Sequence, residues 1–175
     1  ILIRFAQREA HSLVIAAYRL TLAALILLPI TLWGSRTAVR RLTGRQMGWL
    51  AAAGLFLAIH FAAWITSLEM TTVISSVVLV ATTPLWVALA SPFLLKEKIP
   101  AALWWGVGLS LAGSLAVAAS GICVVDGDGL NCMMTPQLWT GKSLTGNLLA
   151  LVGAWCAAGY MIIGRRVRPS LPLPV

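Results

Sequence analysis

Three side chains that can form polar contacts lie at helical spacing inside an apolar stretch. In "LFLAIHFAAWITSLEM", His60, Trp64 and Ser67 follow one another at intervals of four and three residues. Residues at these intervals share one face of a helix, so an imidazole, an indole and a hydroxyl lie in a row. A buried imidazole needs polar surroundings or a hydrogen-bond partner. This face is therefore predicted to line a polar cavity or, alternatively, to use His60 as a hydrogen-bond donor to Ser75 or Thr82 of a neighbouring helix.

A second candidate surface lies in "VISSVVLVATTPLWVAL", where hydroxyls and a proline interrupt the apolar residues. The polar side chains on or beside one helix face are Ser75, Ser76, Thr82, Thr83 and Trp86. Pro84 has no N–H to offer the carbonyl of Val80, so we expect the helix to break there. The two threonine hydroxyls can bond the freed groups. Such a helix lines a ligand path, or each hydroxyl serves only to bond a carbonyl of its own helix.

Other patterns in the chain do not form a catalytic or metal site. The two histidines, His11 and His60, lie in separate regions, and no GxSxG motif accompanies them. The segment "PQLWTGKS" lacks the first glycine of a phosphate-binding loop, and "DGDGLN" lacks the later ligands of a calcium loop and is interpreted as a Gly-rich turn. We therefore expect no enzymatic activity, no cofactor and no metal.

The composition indicates that these residues lie in membrane-spanning segments. Of the 175 residues, 59% are hydrophobic and 10% are charged, which is typical of membrane proteins. A helix needs about 20 apolar residues to cross a membrane. Five stretches have this length: 13–33, 47–68, 72–95, 101–120 and 144–164. The opening "ILIRFAQREAH" is interpreted as the end of one more span, so we expect a fragment of a polytopic, all-α membrane bundle.

The basic residues predict the orientation of the spans. If loop 34–46 faces the cytoplasm, the "KEKIP" loop and the tail 165–175 do so as well. Nine of the thirteen Lys and Arg residues then lie on the cytoplasmic side, in agreement with the positive-inside rule. The net charge of +8 is thus mostly a topology signal for a multi-pass protein of the plasma or inner membrane, and no nucleic-acid partner is expected.

Small residues predict close helix packing in two spans. One span carries Gly106, Ser110, Gly113 and Ser114, and the last span carries Gly146, Ala150, Gly153, Ala154 and Ala157. Small side chains let helix backbones approach one another, so we expect both helices to pack inside the bundle.

Two charged residues are expected to have a structural or gating role. Arg19 lies about two turns inside its span, where an arginine facing lipid is costly, so it should reach outward or pair within the bundle. Glu97 lies at the cytoplasmic end of the span 72–95.

Two of the three cysteines lie in the long loop before the last span. The topology places Cys123 and Cys132 outside, where an oxidising compartment favours a disulfide, although two free thiols also fit the pattern. Cys156 lies within the last span and is expected to be a packing residue.

Several segments together resemble the EamA domain of the drug/metabolite transporter superfamily. They are "AYRLTLAALILLP", "ITSLEMTTVISSVVLVATTPLWVALASPFLLKEKI" and "GVGLSLAGSLAV". The resemblance rests on Arg19, Pro84, Glu97 and the glycines of the span 101–120, in this order and spacing. It implies ten helices in two inverted five-helix repeats, both ends in the cytoplasm, and a substrate cavity between the halves. It also implies transport of small metabolites, usually outward.

On this template the chain divides into three parts. Residues 1–125 form the first repeat with a truncated first helix, 126–143 an external loop, and 144–175 the first helix of the second repeat with its tail. His60 and Trp64 are expected to face the hydroxyls of the span 72–95 and either Trp155 or Tyr160 of that helix across the cavity.

The predicted function is a secondary transporter that exports small metabolites, such as amino acids or related compounds, by alternating access. A non-transporting membrane scaffold or subunit is the alternative, and a channel would need rings of polar groups. No carboxylate lies deep in a span, so His60 is also the candidate for proton coupling. No particular oligomeric state is predicted.

Overall fold

The described part of the chain consists mainly of apolar helices. The computed structural model describes residues 2–34, 39–97, 100–120, 123–126, 129–132 and 141–170. The helices are α1 (Leu2–Ala6), α2 (Ser12–Gly34), α3 (Gly44–Met70), α4 (Val73–Val80), α5 (Thr83–Leu94), α6 (Ala101–Ser120) and α7 (Gly141–Val167), followed by a 3-10 turn (Arg168–Ser170). Within these ranges α2, α3, α4 with α5, and α7 are long and apolar enough to cross a membrane, and α6 contains a shorter apolar stretch. The predicted all-α membrane bundle is confirmed.

Local hydrogen bonds explain where two of the helices begin. The hydroxyl of Thr43 accepts from the backbone N–H of Gln46 at 3.3 Å, and Oε1 of Gln46 accepts from the backbone N–H of Thr43 at 2.8 Å. This capping box pairs two backbone donors that a helix start otherwise leaves free. Thr72 caps α4 in a similar way, through the N–H of Ser75 at 3.1 Å. Because polar caps precede the apolar run, α3 begins slightly before the predicted start at Met47.

The predicted break near Pro84 is confirmed. Helix α4 ends at Val80 and α5 begins at Thr83, with a turn between them. The carbonyl of Val80 accepts a hydrogen bond from Oγ1 of Thr83 at 2.7 Å. Oγ1 of Thr82 donates to the carbonyl of Leu79 at 2.6 Å. The two threonines thus bond carbonyls at the interruption, which allows a broken backbone in apolar surroundings.

Helix α7 lies at the centre of the packing. It has its most extensive interface with α3, and it also contacts α4 and α5. Its buried face contains the predicted small residues Gly146, Ala150, Gly153, Ala154 and Ala157. A Cβ added at Gly146 would lie 2.8 Å from Cβ of Met70 and 2.9 Å from the backbone nitrogen of Thr71. Close packing of this helix is therefore confirmed.

The prediction that the span 101–120 also packs inside the bundle is wrong for the part of the chain that the structure describes. A Cβ added at Gly106 or Gly113 would meet no described atom within 4 Å. Helix α6 makes only small contacts with α4 and α5, and most of its side chains are exposed. Small side chains permit a close approach but do not determine which surface, if any, approaches them.

A short antiparallel hairpin follows α6. Strand β1 (Cys123–Asp126) pairs with strand β2 (Gly129–Cys132). The sequence pattern predicts only a Gly-rich turn here, so the pairing of two strands is a difference from the prediction. The strands form on either side of a Gly-Asp pair, a combination that favours tight hairpins, and Val124 and Val125 favour extended backbone.

The hairpin register places the two loop cysteines opposite each other. Cys123 is the pairing partner of Cys132. Opposed Cα atoms in antiparallel strands are about 4.5–5.5 Å apart, and a disulfide bridges Cα atoms about 4.4–6.8 Å apart. We therefore expect these cysteines to form a disulfide if the loop faces an oxidising compartment.

Alkylation of the denatured protein followed by mass spectrometry measures this bond. Without reduction only Cys156 should be alkylated, and after reduction all three cysteines should react. In the Cys123→Ser control, Cys132 and Cys156 should both react without reduction. Three alkylated cysteines in the unreduced wild type would show that the disulfide is absent.

Candidate functional site

His60 lies at the interface between α3 and α7. Its side chain is 9% exposed, and its Nδ1 lies 2.8 Å from the carbonyl oxygen of Gly153. A carbonyl only accepts, so Nδ1 carries the proton in this contact. The imidazole is stacked on Trp64, with 5.8 Å between the ring centroids. His60 thus bonds a neighbouring helix, but its partner is a backbone carbonyl of α7 rather than Ser75 or Thr82, because α7 is the helix packed against this face of α3.

A second side chain reaches the next carbonyl of α7. Oγ1 of Thr83 forms a long hydrogen bond of 3.5 Å with the carbonyl oxygen of Ala154. Helices α3 and α5 therefore direct polar side chains to consecutive peptide groups of α7. Gly153 has no side chain and Ala154 has only a methyl group, so the other helices can approach α7 closely at these two positions. We call His60, Thr83 and the carbonyls of Gly153 and Ala154 the polar centre.

Two indole rings lie beside the polar centre. The rings of Trp86 on α5 and Trp155 on α7 meet edge to face, with 5.4 Å between centroids. Nε1 of Trp86 donates to Oγ1 of Thr82 at 3.0 Å, so a threonine at the helix break orients this ring. Trp155 and Tyr160 are both exposed. The sequence predicted that Trp155 or Tyr160 would face His60. In the structure Trp155 contacts Trp86, and His60 contacts the backbone of α7.

Arg19 lies over aromatic rings of α3. Its Cζ is 5.0 Å from the ring centroid of Phe61 and 6.0 Å from that of Trp64. A guanidinium in this position is attracted by the quadrupole of the ring. Of the two arrangements expected for Arg19, the structure has pairing within the bundle, with aromatic rings in the place of a carboxylate. Nε1 of Trp64 is shielded from solvent and has no hydrogen-bond partner among the described residues.

The serines predicted to face a ligand form contacts between helices. Oγ of Ser67 lies 2.6 Å from Oγ of Ser76, and both residues are buried. Oδ1 of Asn147 accepts from Oγ of Ser75 at 3.0 Å and from Oγ1 of Thr71 at 2.7 Å. Asn147 was absent from the predicted site, although a lone amide in an apolar span often bonds across helices.

Polar contacts also join the helix ends. Glu97, which follows α5, forms an ion pair with Arg165 of α7, with 2.9 Å between Oε2 and Nη2. At the other end of the bundle, Oγ of the buried Ser12 bonds Oε1 of Glu69 and accepts from Nε2 of Gln7 at 2.8 Å. A structural or gating role of Glu97 was predicted from the sequence, but its partner Arg165 and the contacts of Ser12 were not.

These features define a class of protein, a multi-pass membrane protein whose helices bring polar side chains together around one central helix. The family model of the EamA-like transporter family matches residues 1–119, more than half of the chain. The chain belongs to this family of membrane transporters in the drug/metabolite transporter superfamily, which confirms the resemblance. The comparison with curated proteins found no match, and the comparison with solved structures found none.

Proposed function

We propose that the protein is a secondary transporter that exports small metabolites by alternating access. The observation that carries this proposal is the polar centre, in which His60 and Thr83 bond consecutive carbonyls of α7 beside the break between α4 and α5. Broken backbone at membrane depth is tolerated where it is buried in protein or lines a cavity, and in secondary transporters it surrounds the substrate site. Membership of a transporter family supports the same function.

In this proposal the cavity wall consists of the polar centre and the aromatic residues beside it. The side chains that face the substrate are His60, Trp64, Thr82, Thr83, Trp86, Trp155 and Tyr160. Ser67 and Ser75 set the positions of α3 and α4 through their contacts with Ser76 and Asn147. Because Nδ1 of His60 donates to the carbonyl of Gly153, Nε2 is the ring nitrogen that remains for proton coupling in this proposal.

The contacts at the two ends suit a mechanism in which one end opens while the other stays closed. Glu97 and Arg165 are both about half-exposed. An ion pair in such surroundings contributes about 0–1 kcal/mol, so it can break and form again in every cycle. We assign this pair to the cytoplasmic gate and the contact between Ser12 and Glu69 to the external gate.

Transport by purified protein in lipid vesicles tests the function. A thermal-shift screen of metabolites first identifies compounds that stabilise the folded protein. We expect vesicles preloaded with such a compound to accumulate its radiolabelled form by counterflow. Binding of no metabolite together with no counterflow would favour the non-transporting scaffold.

The hydroxyl of Thr83 is expected to contribute to this transport. Thr83→Val removes its bonds to Val80 and Ala154, and the rate of counterflow should fall. Thr31→Val is the matched control, because the hydroxyl of Thr31 also bonds its own helix, at Leu27, but lies on an exposed face of α2. Equal rates of counterflow in Thr83→Val and Thr31→Val would show that the hydroxyl of Thr83 does not contribute to transport.

The orientation is tested by cysteine labelling in intact cells. In a background with the three native cysteines replaced by serine, a membrane-impermeant maleimide should label Lys142→Cys. It should label Arg40→Cys only after the membrane is permeabilised, because the basic loop 34–46 is retained on the cytoplasmic side. Labelling of Arg40→Cys but not of Lys142→Cys in intact cells would show that the protein has the opposite orientation in the membrane.

A further inference from the structure

We infer that Arg19 and Trp64 form a binding site for the carboxylate group of a small organic anion. Arg19 belongs to a membrane-spanning helix, and its guanidinium rests on the rings of Phe61 and Trp64. Among the described residues the ion pair is that of Glu97 with Arg165, so no described carboxylate pairs with Arg19. A positive charge without an acidic partner in an apolar span is costly, and an anionic ligand would compensate it.

The geometry of the guanidinium suits a carboxylate. Its Cζ lies 5.0 Å from the ring centroid of Phe61 and 6.0 Å from that of Trp64, and these ring contacts accept none of its hydrogen bonds in the way a carboxylate would. Its five N–H donors lie in the plane of the group and form a fork that matches the two oxygens of a carboxylate. Arg19 is exposed along this face of α2, so a ligand can reach those donors.

Trp64 supplies a second donor. Its Nε1 is shielded from solvent and unbonded among the described residues, and a buried donor without an acceptor is costly. An acceptor reaches this nitrogen only when a neighbouring side chain moves. Arg19 is exposed and its Cζ lies 6.0 Å from the ring centroid of Trp64, so in this proposal the movement of Arg19 toward a bound carboxylate uncovers the indole N–H. The ligand oxygen then accepts from the indole N–H.

The aromatic rings beside Trp64 indicate the chemical character of the rest of the ligand. Phe61 and His60 lie beside Trp64, with ring centroids 6.2 Å and 5.8 Å from its own, so we expect the group next to the carboxylate to be apolar or aromatic. The description of this anion as a substrate rests on the proposed transport function. The binding site itself does not, and it can be measured without transport.

Binding of benzoate and of its neutral analogue benzamide to the purified protein tests the site. We expect benzoate to raise the melting temperature of the wild type with increasing concentration, and benzamide to have no such effect. Arg19→Gln should weaken benzoate binding about 10- to 100-fold, as expected for the loss of a charge-assisted pair. Arg19→Lys should give an intermediate affinity, because lysine keeps the charge without the fork. Trp64→Phe keeps a ring but removes the N–H, and it should weaken benzoate binding about tenfold.

Arg8→Gln is the matched control. Arg8 also lies over an aromatic ring, that of Phe5 at 5.1 Å, but outside the proposed site, so benzoate binding should be unchanged.

The assignment is overturned if benzoate does not stabilise the wild type, if benzamide does so equally, or if Arg19→Gln binds benzoate with wild-type affinity. Stabilisation by micelles containing phosphatidylglycerol but not by benzoate would assign Arg19 to lipid binding instead. If Arg19→Gln does not fold, Arg19→Lys and Trp64→Phe decide the question. Benzoate binding as expected but without counterflow of any anion would count against the transport function alone.

Discussion

Transport is expected to fall by about tenfold or more when either His60 or Trp64 is replaced by alanine, while the protein remains folded and inserted in the membrane. Trp64→Ala removes the ring on which both His60 and Arg19 rest. His60→Ala removes the hydrogen bond to the carbonyl of Gly153, and a neutral hydrogen bond contributes only about 1 kcal/mol to stability. The main loss should therefore be in the shape and polarity of the site, which counterflow in vesicles measures at equal protein content.

Two further variants separate a role in the site from a role in packing. Trp105→Ala is the control for Trp64→Ala, because Trp105 lies on α6 and is 81% exposed, so its loss should leave transport unchanged. His60→Gln keeps a donor but cannot take up a proton, so transport driven by a pH gradient should be lost while counterflow persists. Wild-type rates in both alanine variants would mean that His60 and Trp64 serve packing alone.

The second large effect is expected at Gly146, where a single added methyl group should destabilise the fold. In Gly146→Ala the new Cβ would lie 2.8 Å from Cβ of Met70 and 2.9 Å from the backbone nitrogen of Thr71. These atoms belong to the end of α3 and to the turn after it, so relief requires α7 to move away from its main partner. Overpacking of this kind lowers the free energy of unfolding by about 1–3 kcal/mol. Reversible unfolding in mixed micelles of dodecylmaltoside and SDS measures the change.

Gly106→Ala is the matched control for that substitution. It makes the same chemical change within a membrane helix, but an added Cβ at Gly106 meets no described atom within 4 Å. Alanine favours helix over glycine by about 1 kcal/mol, so Gly106→Ala should be as stable as the wild type or slightly more stable. Equal destabilisation of the two variants would contradict the contact between Gly146 and the end of α3, or would show that α6 packs as closely as α7.

Two hydrogen bonds of Asn147 are expected to add to the effect of Gly146→Ala. Asn147 accepts from Thr71 and Ser75 with its side-chain oxygen, and it follows Gly146 directly. We expect that a shift of α7 away from α3, which would relieve the added methyl group, also lengthens these bonds. The packing of one glycine and the bonding of the adjacent amide therefore stabilise the same junction between α3, α4 and α7.

The elements of this fold follow from the order of the residues along the chain. The apolar runs predict the spans because an apolar helix of about 20 residues buries all of its backbone polar groups within itself. The break between α4 and α5 is also local, because Pro84 lacks the N–H and Thr83 supplies a hydroxyl to the same carbonyl of Val80. The membrane class and the family resemblance were predictable for the same reason, since both depend on spacing along one chain.

The contacts between helices were decided by the tertiary structure. Two spans carry small residues at similar spacing, yet α7 packs against α3 while the glycines of α6 meet no described neighbour. Likewise, helical spacing placed His60 on an inward face, but its partner is the carbonyl of Gly153, 93 residues further along the chain. Helical spacing shows which side chains share a face, but it does not show which helix lies opposite that face. That choice depends on the fit between surfaces that are distant in sequence, and it is why Arg19 lies over Phe61 and Trp64 rather than beside a carboxylate.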